Sequence, residues 1–105
     1  MNNYILDEQG NPVAEPDLLM WARWFDVEHR RRLALDKIGE ITVSTVFLGV
    51  DHNFLRQGAP LLYETMIFGA LSEWGLDDYQ NRYATREEAL QGHAEAVALV
   101  RAKRT

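Results

Sequence analysis

The chain contains no cysteine, only three prolines and no apolar run long enough to span a membrane. Without cysteine it cannot form a disulfide, a thiolate zinc site or a cysteine nucleophile. Small secreted domains often need disulfides to compensate for a thin core, so their absence indicates a cytoplasmic protein. The first ten residues have neither the basic nor the apolar segment of a signal peptide. We therefore predict a cytoplasmic protein that does not enter a membrane.

Basic residues are in the minority: 11 Lys and Arg stand against 16 Asp and Glu, for a net charge of -5. Nucleic-acid phosphates would be repelled by such a surface, so direct nucleic-acid binding is not predicted. A negative surface instead suits a basic protein partner. The 105 residues suffice for one domain and not for two. We predict a single domain over residues 1–105.

The N-terminal third predicts a small strand or hairpin followed by a helix. Short apolar runs at 4–6 and 13–14 flank a turn in which Gly10 and Asn11 suit positive φ. Pro16 and its acidic neighbours fit the first turn of a helix. Helical spacing of apolar residues then predicts a helix from Leu18 to Leu33 or Leu35, with a stripe formed by Leu18, Trp21, Ala22, Phe25 and Leu33.

The remaining elements are two long strands, a short edge strand and a second helix. Residues 41–50 and 61–69 are rich in β-branched side chains and predict an antiparallel pair. Residues 79–83 predict a polar edge strand, and Thr85 with Glu88 forms a capping box for a helix to about Ala102. The predicted fold is α+β, with three to four antiparallel strands and two amphipathic helices in the order β-α-β-β-(β)-α.

Four side chains are candidates for a catalytic or ligand-binding role. With Val50 opposite Leu61, Glu64 shares a face with Val43, Thr45 and Phe47, where an unpaired carboxylate would be costly. It is a general base or ligand-contacting carboxylate, a strand residue on an open face, or the partner of an arginine from a helix. Asp51 and His52 enter the loop between the long strands, where they offer an oxygen and a nitrogen to a divalent metal, form an acid/base pair or simply shape the turn.

His93 lies on the apolar stripe of the last helix, where a histidine usually satisfies one hydrogen bond inside the core. His29, His52 and His93 lack the i, i+4 spacing of helical zinc ligands, so no metal site is predicted. Phosphate loops and nucleophile elbows are missing from the sequence, and no cofactor is predicted. The sequence therefore favours a non-catalytic protein and leaves enzymatic activity open.

Large aromatic side chains offer an alternative to chemistry, because they often anchor interfaces. The first helix carries Trp21, Trp24 and Phe25, and Trp74 follows the second long strand. The first helix is predicted to be apolar over a sector wide enough to contact a second chain. These four residues are the predicted binding residues, with a homodimer as one hypothesis.

The sequence contains eight distinctive blocks: 4–7 (YILD), 10–13 (GNPV), 15–17 (EPD), 43–49 (VSTVFLG), 51–54 (DHNF), 60–69 (PLLYETMIFG), 82–85 (RYAT) and 92–93 (GH). These blocks resemble a family of small, uncharacterised proteins encoded by bacteriophages and prophages. Val50 and Tyr63 stand where we expect Leu and Phe. The resemblance implies a phage origin and carries no catalytic residue.

Two functions follow as hypotheses. The first is a small acidic phage protein that binds a host or phage protein, by analogy with inhibitors of host defence such as anti-CRISPR proteins. The second is a small-molecule-binding or hydrolytic domain that uses Asp51, His52, Glu64 and His93.

Overall fold

The computed structural model describes residues 2–55, 58–69, 75–76 and 79–104. These residues form an α+β fold with three helices and two antiparallel sheets, of two and four strands. The strands are β1 (Tyr4–Leu6), β2 (Pro12–Ala14), β3 (Arg32–Ile38), β4 (Ile41–Phe47), β5 (Tyr63–Phe68) and β6 (Gln80–Tyr83). The helices are α1 (Leu18–Phe25), α2 (Glu28–Arg31) and α3 (Arg86–Arg104). The predicted fold class is confirmed, whereas the predicted strand number and element order are wrong.

Neighbouring strands in the larger sheet follow the chain, in the order β3-β4-β5-β6, and all pairs are antiparallel. β1 and β2 form the predicted N-terminal hairpin, with Gly10 at a φ of 81° in its turn. The hairpin is joined to the end of β4 by the Tyr4 N–H, which donates to the Gly49 carbonyl at 2.8 Å. No helix in the described ranges is both long and apolar enough to cross a bilayer.

Helix α3 covers one face of the larger sheet, which we call the inner face. β4 alternates between buried and half-buried residues, and its buried side chains point to α3. The stripe predicted for the last helix is confirmed: Ala89, His93, Ala96 and Val100 are buried, and Val97 is half-buried. The predicted capping box is also present, since the Glu88 N–H donates to Thr85 Oγ1 and the Thr85 N–H to Glu88 Oε1.

The inner face holds two apolar clusters, which fix the direction of α3. Val100 packs with Ile38 and Ile41 in the first cluster. Ala89 packs with Phe47 and Tyr63 in the second, to which Trp24 of α1 and Tyr4 of β1 are added. Helix α3 therefore runs from the Phe47 end of the sheet to the Ile41 end, in the same sense as β3.

The long first helix predicted from the sequence is not formed. Asp17 is the N-cap of α1, which ends at Phe25, and the chain becomes extended from Arg32 to form β3. β3 pairs with β4 through a two-residue loop in which Gly39 has a φ of 63°. Apolar spacing over residues 30–35 suited a helix equally well, and pairing with β4 decided the outcome.

The register of β4 and β5 differs by one residue from the predicted one. Val46 faces Glu64 and Thr45 faces Thr65, whereas the prediction placed Phe47 opposite Glu64. In the connecting loop, the Asp51 carboxylate accepts hydrogen bonds from the N–H groups of Asn53 and Leu61. The observed register gives each of three buried polar side chains a partner, because Thr45 bonds to Thr65 and Glu64 to Arg82. A one-residue slip moves side chains to the other face, so Glu64 leaves the inner face.

The opposite, outer face of the sheet carries apolar side chains. Leu35 and Phe68 are 39% and 48% exposed, and Val46 and Met66 between them are half-buried. Among the described helices, only α3 has extensive contacts with β4, β5 and β6. The outer face thus mixes these apolar side chains with polar ones, among them Thr42, Ser44 and Glu64.

Tyr63 gives the inner face a measurable pH dependence. Its ring is fully buried, and Oη has no hydrogen-bond partner in the part of the chain that is described. Burial raises the pKa of Tyr63 above its ordinary value of 10.0; Arg86 lowers this pKa and Glu87 raises it. The unfolded chain ionises first as the pH rises, so the free energy of unfolding falls from about pH 10 towards the folded-state pKa.

We expect Tyr63→Phe to raise the free energy of unfolding by about 1 kcal/mol at neutral pH, because it removes a buried hydroxyl without a partner. The variant should also lose stability less steeply above about pH 10. A smaller decline will remain, since burial raises the pKa of Tyr79 as well. Urea denaturation at neutral and alkaline pH measures both effects. A variant that is less stable than the wild type at neutral pH would contradict this account of Tyr63.

Candidate functional site

The best-organised polar cluster lies between α3 and the inner face and centres on His93. His93 Nε2 is 2.7 Å from Asp36 Oδ2, and Nδ1 is 2.7 Å from Thr45 Oγ1. Thr45 Oγ1 lies in turn 2.5 Å from Thr65 Oγ1 on the paired strand. The cluster thus joins residues of α3, β3, β4 and β5 in one hydrogen-bonded chain.

The direction of these hydrogen bonds follows from the carboxylate. An ionised Asp36 only accepts, so Nε2 of His93 carries a proton. In the neutral imidazole Nδ1 then accepts from the Thr45 hydroxyl, and Thr45 can accept from Thr65. An acid–histidine–hydroxyl series resembles a nucleophilic triad, but Thr45 and Thr65 are fully buried, so a substrate cannot reach either oxygen. The two threonines instead satisfy and orient a buried histidine.

A groove of about 580 Å³ lies next to this cluster, between β3 and α3, and Asp36 forms part of its lining. We call it the β3–α3 groove. Its polar side chains are Asp36, His93 and Arg101, and its apolar lining comes from Leu90, Ala94, Val97 and Ala98 of α3. The Asp36 side chain is 48% exposed and that of His93 only 8%. A ligand in the groove would therefore contact the Asp36 carboxylate. The hydrogen bond from the buried His93 would hold this carboxylate in position.

Glu64 does not belong to this cluster. It lies on the outer face, where Oε2 accepts from Arg82 Nε at 2.9 Å and from Gln80 Nε2 at 2.9 Å, both on β6. The arginine pairing proposed from the sequence is therefore present, although the arginine comes from a strand. Glu64 and His93 lie on opposite faces of one sheet, so they cannot act on the same ligand.

Asp51 and His52 shape the loop after β4. The Asp51 carboxylate closes the loop through its two backbone hydrogen bonds, and the Nδ1–H of His52 donates to the Val50 carbonyl at 2.8 Å. These contacts match the turn interpretation of the sequence. Among the described residues, no three His, Asp or Glu side chains are grouped closely enough to hold a metal ion.

The aromatic residues of α1 hold the helix against the rest of the fold. Trp21 Nε1–H donates to the Gly49 carbonyl at 3.0 Å, and its ring stacks on Phe25 with centroids 4.8 Å apart. The Arg31 guanidinium lies 4.1 Å from the Phe25 ring centroid. Trp24 meets Phe47 edge-on. These three predicted binding residues are thus half-buried and engaged within the chain, while Trp74 lies outside the described residues.

The exposed large apolar residues of α1 are its first three. Leu18 is 65%, Leu19 61% and Met20 52% exposed, and we call them the α1 surface. The predicted apolar stripe is wrong at Leu18 and Ala22, which are exposed, because α1 is short and no residue in it is fully buried. The Asp17 carboxylate accepts from the N–H groups of Leu19 and Met20 and fixes this turn.

Sequence reasoning found His93 but missed Asp36, Thr45 and Arg101, which accompany it. The partners of His93 are 48 and 57 residues away along the chain, so no local spacing could reveal them. The one available signal is that two threonines occupy central positions of the long strands, although the predicted register did not pair them. No family model matches the chain, and comparisons with curated proteins and with solved structures found no match.

Proposed function

We propose that the chain is a protein-binding module that engages a host or phage protein through the α1 surface. The observation that carries the proposal is the exposure of three consecutive large apolar side chains, each more than half accessible. Single exposed apolar residues are ordinary, whereas contiguous ones favour an interaction site.

The rigidity of α1 supports this role. Asp17 caps the helix, the Trp21 indole is bonded to Gly49, and Phe25 lies between Trp21 and Arg31. The α1 surface is consequently presented on a fixed helix. Binding through such an element loses less conformational entropy than binding through a flexible loop.

Charge indicates the chemistry of the partner. Glu15 and Asp17 immediately precede the α1 surface, and the whole chain carries a net charge of -5. A complementary surface would place basic groups around an apolar pocket. The phage origin expected from the sequence favours a partner in the infected cell, with host-defence complexes as the first class to examine.

Site-specific photo-crosslinking in host cells tests the proposal. A photoreactive amino acid at Leu19 should give a discrete crosslinked product, whereas the same group at Gln91, on the exposed side of α3, should not. Probes at Leu55 and Phe68, which are 82% and 48% exposed, report on the other exposed apolar sites. A product at twice 12.1 kDa identifies a second copy as the partner.

The matched variant is Leu18→Glu, in a chain that keeps the photoreactive amino acid at Leu19. Because Leu18 is largely exposed, we expect the free energy of unfolding to change by less than about 0.5 kcal/mol, while the crosslinked product from position 19 disappears. A crosslink at Phe68 or Leu55 with none at Leu19 would overturn the assignment to the α1 surface. No crosslink at any of the three would overturn the proposed function.

A further inference from the structure

A second surface lies along β3, which is an edge strand. β4 pairs with one side of β3, and no other described strand pairs with its opposite side. The two-residue loop makes Ile38 and Ile41 a hydrogen-bonded pair, and such pairs alternate along an antiparallel ladder. Leu35 and Lys37 therefore direct their backbone N–H and C=O groups to the open edge. These groups form a template for a further strand.

The β3–α3 groove lies beside this open edge. Side chains of an added strand would alternate between the outer face and the groove. Those that enter the groove would meet Leu90, Ala94, Val97 and Ala98 from α3 and the Asp36 carboxylate from β3. Lysine at an edge strand often discourages pairing. Here the Lys37 side chain belongs to the outer face and leaves the groove free.

The charges in the groove define the occupant. Asp36 is half-exposed, and in the described part of the chain its one polar partner is His93. Arg101 is exposed and lies towards the Ile38 end of the groove, because α3 runs in the same sense as β3. Leu90 lies towards the other end. A strand added antiparallel to β3 would therefore lie first beside Arg101, then beside Asp36 and last beside Leu90.

We propose that the β3–α3 groove binds an extended peptide segment of another protein by strand addition to β3. The segment reads acidic-x-basic-x-apolar, with the basic side chain on Asp36, the acidic one on Arg101 and the apolar one on Leu90. Main-chain hydrogen bonds to Leu35 and Lys37 hold the segment, and the alternate side chains select it. This surface is separate from the α1 surface and does not depend on it.

A capped heptapeptide, Thr-Glu-Thr-Lys-Thr-Leu-Thr, is the probe. We expect its addition to shift the amide resonances of Leu35 and Lys37 and to slow their hydrogen exchange, with saturation below about 1 mM. The control peptide exchanges its Glu and Lys, which preserves composition and net charge, and should bind about tenfold more weakly. Equal binding of the two peptides would overturn the assignment of the groove.

Two further comparisons distinguish strand addition from a side-chain contact. N-methylation of the two threonines flanking the lysine blocks the amides that face β3 and should abolish binding, whereas N-methylation of the lysine amide should not. Ala94→Arg fills the groove from the exposed side of α3, and Gln91→Arg adds the same charge outside it. Tolerance of threonine methylation, or of Ala94→Arg, would refute the proposal. Crosslinking at Leu19 reports on the α1 surface alone.

Discussion

Replacing Gly69 with alanine is expected to lower the free energy of unfolding by about 3 kcal/mol, because backbone strain and a steric clash add together. Gly69 follows β5 with a φ of 124°, a conformation that residues with a Cβ atom rarely adopt. A Cβ atom there would lie 2.5 Å from the Glu40 carbonyl oxygen and 3.1 Å from Ile41 Cα. Both contacts are with backbone, so they cannot be relieved by a side-chain rotation.

Gly58 provides the matched control. It has a φ of 82°, but a Cβ atom added there meets nothing within 4 Å. Gly58→Ala should therefore cost only the strain of about 1 kcal/mol. Chemical denaturation of both variants separates strain from clash. Equal losses at the two positions would show that the close approach of Gly69 to the turn after β3 contributes nothing.

Replacing His93 with alanine is expected to cost about 3 kcal/mol, from a buried cavity and the loss of two hydrogen bonds. His93 links Asp36 of β3 to Thr45 of β4, so its removal also frees α3 from the edge of the sheet. We expect the melting temperature to fall and hydrogen-exchange protection to decrease first in β3. Denaturation followed by amide exchange measures both.

Two controls distinguish the effect of breaking the His93 hydrogen bonds from the effect of removing a histidine in general. His29 is exposed on α2, so His29→Ala should change the free energy of unfolding by less than about 0.5 kcal/mol. A double-mutant cycle between His93→Ala and Thr45→Val should show a coupling of about 1 kcal/mol. Additive losses would mean that the hydrogen bond between these two residues does not stabilise the fold.

These stability tests concern two residues in close contact with distant segments, Gly69 and His93, whereas the binding tests change exposed side chains. Leu19 and Ala94 are accessible and can be changed without disturbing the core. Gly69 and His93 determine whether the sheet and α3 are assembled at all. Substitutions at Leu19 and Ala94 should leave the stability unchanged, so a loss of binding there reports on the binding surface. Substitutions at Gly69 and His93 lower the stability, so a loss of binding there would not.

Local sequence signals were sufficient to predict those elements whose determining residues lie close together in the chain. The capping box of Thr85 and Glu88 starts α3, and the spacing of Ala89, His93 and Ala96 selects its buried face. Gly10 marks the turn of the N-terminal hairpin. Each of these features depends on residues within a few positions of one another, and the sequence displays them directly.

Residues 32–38 show where local signals fail. Their apolar spacing is compatible with a helix, and the strand forms because β4 supplies hydrogen-bond partners on one side and α3 covers Asp36 and Ile38. The register of β4 and β5 is a similar case, since it brings Thr45 to Thr65 and Glu64 to Arg82, partners that lie 20 and 18 residues apart in the chain. The β-sheet propensities of the residues predict neither the strand at 32–38 nor the register of β4 and β5.

The sequence by itself determined the α+β class, the hairpin and α3, because these depend on periodicity, turn residues and caps that act over a few residues. Only the tertiary structure decided that His93 joins Asp36 to Thr45, that Glu64 lies on the other face, and that Leu18 is exposed. The physical reason is that burial and hydrogen-bond partnership depend on which distant segments meet. A one-residue change of register or an early helix end redirects every side chain beyond it.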